Sequence, residues 1–149
     1  MNVILKNERG LTLIELLAVV VILGIISAIA VISIVNIVNT ARDQAIVANS
    51  YTLIDSAQFY VSEKRINEET ITSVSYKTLF DENYIEKIKD PDTREYLEPI
   101  TNDSYVAVEE GIITAVCLIG KKRNLCTVEG AKKPILISEL TKERIQSND

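Results

Sequence analysis

The run Leu16 to Val35, LLAVVVILGIISAIAVISIV, constrains this chain more than any other feature, because only Gly24, Ser27 and Ser33 interrupt its aliphatic residues. No charge occurs from Leu16 to Ala41. A helix of that length rises about 30 Å, the thickness of a bilayer's hydrocarbon core. The competing reading is a buried core helix. In a chain of 149 residues, however, too little sequence remains to cover such a helix on every side. The run therefore reads as a membrane span, with room left for one small domain.

A secretory signal peptide has a shorter apolar stretch and a small-residue cleavage site after it. Here Asn36, Asn39 and Thr40 lead without a break into further helix-compatible sequence, so the span is expected to be retained. Lys6 and Arg9 precede it, partly offset by Glu8, and beyond it a single early cation, Arg42, stands beside Asp43, so Lys and Arg are in slight excess on the N-terminal side. The positive-inside bias then keeps the N-terminal side in the cytoplasm and exports the rest.

Composition removes several functions. A formal charge of -5 disfavours a broad nucleic-acid-binding face, so a DNA contact would have to be local. With no histidine, the usual general base and the commonest metal ligand are both missing. Gly120-Lys121-Lys122 is like the end of a phosphate-binding loop, but Ala115 and Lys122 stand where that motif needs glycine and Ser or Thr. Asp90 with Asp92, and Glu109 with Glu110, lie on polar segments where nothing marks one carboxylate as acid and the other as base. No catalytic residue, cofactor or metal site is expected, and the chain reads as a non-enzyme.

Glu15 is the conspicuous charge, because it stands at the edge of the apolar run, where a carboxylate becomes costlier the deeper it is drawn. It is part of a denser pattern. Lys6-Asn7-Glu8-Arg9-Gly10 followed by Leu11-Thr12-Leu13-Ile14-Glu15-Leu16-Leu17 resembles the cleavage and methylation signature of type IV prepilins and type II secretion pseudopilins. The resemblance implies that a membrane-embedded prepilin peptidase cuts the Gly10-Leu11 bond on the cytoplasmic side and methylates the new amine of Leu11. It also implies a role for Glu15 in assembly, pairing with the freed amine of a neighbouring subunit and so setting register. The sequence departs from the family pattern in two places. Leu11 stands where phenylalanine is commoner, and Ile32 where many pilins carry a helix-bending proline.

Beyond the span no Gly or Pro occurs between Gly24 and Pro91, so the helix is expected to continue to about Arg65. Val47, Tyr51, Ile54, Ala57 and Val61, flanked by Ile46, Leu53 and Tyr60, recur at three- and four-residue steps and form its apolar face. Tyr76 to Phe80 and Asn83 to Ile88 read as short helical or extended pieces, with Pro91 and Pro99 in loops. Tyr105 to Glu109 and Ile112 to Ile119 are strand-like runs around a turn at Glu110-Gly111, and Leu125 to Val128 is a third candidate strand. If Gly120 to Arg123 form the second turn, Ile119 faces Asn124, Leu118 faces Leu125 and Cys117 faces Cys126. Two readings of the cysteines remain: a disulfide in an exported head, or two free, partly buried thiols. Ile135 to Ile137, after Pro134, are expected to add an edge strand, and the polar tail from Thr141 to fray.

The expected fold is α+β, a long N-terminal helix packed on a small antiparallel sheet. Its expected divisions are a leader at 1–10, a transmembrane and assembly helix at 11–40 and an exported head at 41–149. The leading functional expectation is a structural subunit of a type IV pilus or pseudopilus. Its partners are the prepilin peptidase, other pilin subunits, the pilus assembly machinery and the lipid bilayer. Two alternatives stand beside it. One is a minor pilin-like component whose head binds DNA or a secreted substrate, through a basic contact loop of Lys121, Lys122 and Arg123. The other is a single-pass membrane protein that never assembles.

Overall fold

The computed structural model describes residues 12–67, 69–126 and 132–148. The element that organises it is helix α1, Leu13–Ile66, 54 residues long. Backbone contacts divide the chain into two compact units between Asn39 and Thr40. In the first unit the described residues are helical from Leu13 onward, and their aliphatic side chains are exposed throughout. Ser27 and Ser33 turn their hydroxyls back onto the carbonyls of Leu23 and Ile29, at 2.7 and 3.4 Å. Each Ser hydroxyl thus has an acceptor within the helix, as lipid surroundings require.

In the second unit α1 is the spine of the head. Ile46, Ser50, Leu53, Ile54, Ala57, Tyr60 and Val61 are buried, at the three- and four-residue steps of one helix face. The face is centred about one residue earlier than the sequence reading put it. Tyr51 turns outward at 43% exposure, and Ser50 takes the inward place, its hydroxyl satisfied by the carbonyl of Ile46. A small side chain with its hydroxyl satisfied inside the helix suits that fully buried place, whereas a tyrosine would have to bury its hydroxyl.

The sheet is antiparallel: β1 (Ser73–Ser75), β2 (Tyr105–Glu109), β3 (Ile112–Ile119), β4 (Arg123–Leu125) and β6 (Gln146–Ser147) lie in that order, and β5 (Ile135–Leu136) also pairs with β3. The fold is therefore α+β, as the sequence indicates. β2 and β3 are joined at Glu110-Gly111, both at positive φ (52° and 77°), the backbone of a tight hairpin turn. β4 begins two residues before the expected strand. Its pairing of Leu118 with Leu125 and Ile119 with Asn124 is nevertheless the register read from the sequence. Of the expected continuation, Cys126 lies past the end of the strand, and Thr127 and Val128 lie outside the described residues.

Between β1 and β2 the chain forms α2, Tyr76–Asp81, capped by Ser75, whose Oγ accepts from the amide of Thr78 at 3.0 Å. Asn83 to Ile88 form neither helix nor strand, apart from the turn that ends α2. Tyr76 holds this segment from inside: fully buried, its hydroxyl accepts from the amide of Ile88 at 2.7 Å and donates to the carbonyl of Leu97 at 3.4 Å. The described tail is not frayed. Two short 3-10 turns, 137–139 and 142–144, lead into β6, which pairs with β4. Leu140 is buried, Ile145 packs on the core, and the Asn148 side chain donates to the carbonyl of Gly120. Those two apolar anchors outweigh the polar composition on which the expectation rested.

Candidate functional site

Thr12 starts the membrane-length helix as its N-cap. The amide of Glu15 donates to Thr12 Oγ1 at 3.3 Å, and the amide of Thr12 donates back to Glu15 Oε2 at 3.1 Å. The Thr12 hydroxyl also reaches the same carboxylate oxygen, at 3.2 Å. This reciprocal arrangement is a capping box, with Glu15 at the third helical position. A carboxylate there also faces the positive end of the helix dipole. Sequence reasoning placed Thr12 in the signature without giving it this capping role. The T-x-x-E spacing ahead of an apolar run was the signal that would have found it. Gly10 and Leu11 lie outside the described residues.

Directly after the cap comes the apolar stretch. Leu13, Ile14, Leu16, Leu17 and the aliphatic residues on to Val38 are exposed, and the helix is long and apolar enough to cross a membrane. Its most apolar window has no residue buried against the rest of the chain. Burying one such Leu, Ile or Val away from water is worth about 1.5–3 kcal/mol. A surface of this kind requires lipid or other helices around it.

In the head, Cys117 and Cys126 are joined as a disulfide, both fully buried, which ties β3 to the chain just beyond β4. Between them lies the basic loop, and its three cations have different surroundings. Arg123 turns inward: Nε and Nη2 donate to the two carboxylate oxygens of Asp92 at 2.8 and 2.7 Å, and Nη1 donates to Asp43 at 2.6 Å. The guanidinium holds the Asp92 carboxyl below its usual range, and the two carboxylates push the Arg123 pKa up. Lys121 pairs with Glu95, and its amide donates to Asp90. Lys122 is exposed and makes no ion pair among the described residues.

The buried Asp90 side chain organises the neighbouring loop, accepting from the amides of Asp92, Thr93 and Lys121 at 2.7, 3.1 and 2.6 Å. Gly120 is needed beside it, since a Cβ there would come within 2.7 Å of the Arg123 carbonyl and 2.9 Å of the Asp90 carboxylate. Asp90, Asp92 and Arg123 thus build the base of the loop. Among the described residues no group of three His, Cys, Asp or Glu is placed to hold a metal ion.

Residues 5–35 match the family described as the prokaryotic N-terminal methylation motif. No curated protein and no solved structure matches the chain. The matched residues run from the basic segment before Gly10, across the Thr12–Glu15 cap, to the end of the apolar run. The chain therefore carries a type IV pilin-like prepilin signature, and with it the mark of a substrate for prepilin peptidase. A structural, non-enzymatic protein is the class to which such a motif points.

Proposed function

We propose that this chain is a structural subunit of a type IV pilus or pseudopilus, cut between Gly10 and Leu11, methylated on Leu11, and assembled into an extracellular filament. The observation that carries the reading is the continuity of three features in one stretch. A prepilin signature at residues 5–35 runs through a capped helix start at Thr12–Glu15 into an apolar helix with every side exposed. Before assembly that helix lies in the cytoplasmic membrane, with the leader in the cytoplasm and the head outside. In the filament its aliphatic surface packs against copies of itself, so lipid contacts are exchanged for helix contacts and packing decides the outcome. Glu15, drawn among apolar helices, pairs with the amine freed at Leu11 of a neighbouring subunit. The disulfide is consistent with a head that matures in an oxidising compartment.

The DNA-binding reading draws less support, because Arg123 and Lys121 already have carboxylate partners within the head. The test is the intact mass and N-terminal sequence of the protein from its native host, with and without prepilin peptidase. The expected result is loss of everything up to Gly10 and a methylated Leu11 in the first strain alone. An uncut Gly10-Leu11 bond in both strains would replace this reading with the membrane protein that never assembles.

A further inference from the structure

The head carries unlike charge at its two ends. At one end, the last turns of α1, the segment 69–72 and the β2–β3 turn enclose an open cleft of about 570 Å³. Val61, Ile71 and Val108 give it an apolar floor, and Glu69, Glu109 and Glu110 stand at its rim with a single guanidinium, that of Arg65, among them. None of those three carboxylates makes an ion pair among the described residues. At the opposite end, around Gly120 to Arg123 and the loop 89–94, the unpaired charges are cationic. Among the described residues Lys89, Arg94 and Lys122 are exposed and make no ion pair, whereas Asp43, Asp90, Asp92 and Glu95 are taken up by Arg123, Lys121 and backbone amides.

The two ends cannot meet in one molecule. Asp43, bonded to Arg123, and Arg65, at the cleft, are separated by 22 residues of the same helix, or about 33 Å. We propose that the acidic cleft receives the β3–β4 turn of a second copy of this chain, with Lys122 as the inserted residue. A lysine matches the cleft's chemistry: its methylene stem lies on the apolar floor and its ammonium reaches the carboxylate rim. A contact between two different surfaces of identical subunits is heterologous, and unless the rotation closes it propagates as an open helix. The inference thus rests on the filament reading and adds to it where one head meets the next. It also explains why Arg123 and Lys121 are tied down internally: their bonds to Asp92, Asp43, Glu95 and Asp90 fix the shape of the turn that presents Lys122.

The test is a charge exchange in the full-length chain, expressed in its native host and scored by the filament fraction sheared from cells. Lys122→Glu alone and Glu109→Lys alone are each expected to lower filament yield about tenfold, since each sets like charges against each other. The double variant is expected to recover most of the loss, which a folding defect would not do. Wild-type yield from both single variants, or a double variant no better than either single one, would overturn the head contact while leaving filament formation intact. Full filament yield from Lys122→Glu with loss of duplex DNA binding by the sheared filaments would make the turn a nucleic-acid contact and also overturn it. Absence of filaments from the wild-type chain would instead count against the subunit reading itself.

Discussion

The filament reading gives Glu15 a second role beside capping its helix, and three substitutions divide the two. In the free chain its carboxylate accepts from the amide and hydroxyl of Thr12, an ordinary helix cap. In the proposed filament it also pairs with a neighbour's amine. Glu15→Gln keeps an acceptor at the third helical position, which the capping box tolerates, but removes the charge. Thr12→Ala does the reverse. Loss of the cap costs about 1 kcal/mol, spread over a helix of 54 residues that tertiary and lipid contacts already hold. Loss of the charge leaves the partner's amine unpaired in apolar surroundings, at about 3–5 kcal/mol per subunit joint. A penalty of that size raises the critical concentration for assembly more than about a hundredfold. The expected outcome is therefore a filament fraction near wild type for Thr12→Ala and almost none for Glu15→Gln or Glu15→Ala. All three should show normal membrane content and a normal mature N-terminus. The assay is immunoblotting of sheared and membrane fractions, with intact mass as the control for processing. Assembly of Glu15→Gln at wild-type level, with Thr12→Ala defective, would show that the carboxylate serves the helix end alone.

Three further outcomes can be checked on the full chain in detergent by chemical denaturation. The disulfide joins residues 9 apart, and closing a loop of that size stabilises the head by about 2.6 kcal/mol through the unfolded chain. Reduced and alkylated protein should unfold at correspondingly lower denaturant, and equal midpoints would contradict the estimate. Asp92 has its pKa lowered from 3.8, first by the hydrogen bonds from Arg123, so its contribution is complete above that value and is lost as pH falls through the lower folded value. Stability measured downward from about pH 5 should therefore drop less steeply in Arg123→Gln than in wild type, and parallel curves would refute the linkage. Gly120→Ala drives a Cβ against the Arg123 carbonyl and the Asp90 carboxylate, neither of them the end of a long flexible side chain. A loss of about 1–3 kcal/mol is expected, with faster reduction of the disulfide; wild-type values for both would show that the turn yields freely.

The parts of the molecule legible in the sequence are those written in short stretches. The apolar run and the signature before it need no partner to be recognised, and the match to the N-terminal methylation motif covers the same stretch, residues 5–35. The hairpin was legible because Gly111 readily takes one of the two positive-φ places that the turn demands, and the register of Leu118 on Leu125 followed from a four-residue turn. What sequence could not give depends on distant residues. Arg123 reads as part of a basic loop until Asp43, 80 positions earlier, and Asp92 are seen beside it. Tyr51 and Ser50 exchange roles because the sheet decides which side of the helix is inward, and helical spacing alone does not fix that within one residue. The tail looked polar because Leu140 and Ile145 stand apart, too sparse to show any period.

The first unit's helix has a consequence for how such a subunit could be aligned. From Leu16 to Val35 its exposed side chains are aliphatic except at Gly24, Ser27 and Ser33, and the hydroxyls of the two serines are folded back onto the helix's own carbonyls. It is a smooth axle with no keyway: rotated about its axis, it presents nearly the same surface to whatever surrounds it. In the proposed filament, angular alignment would then come from Glu15 at the capped start and from the folded head rather than from the apolar span.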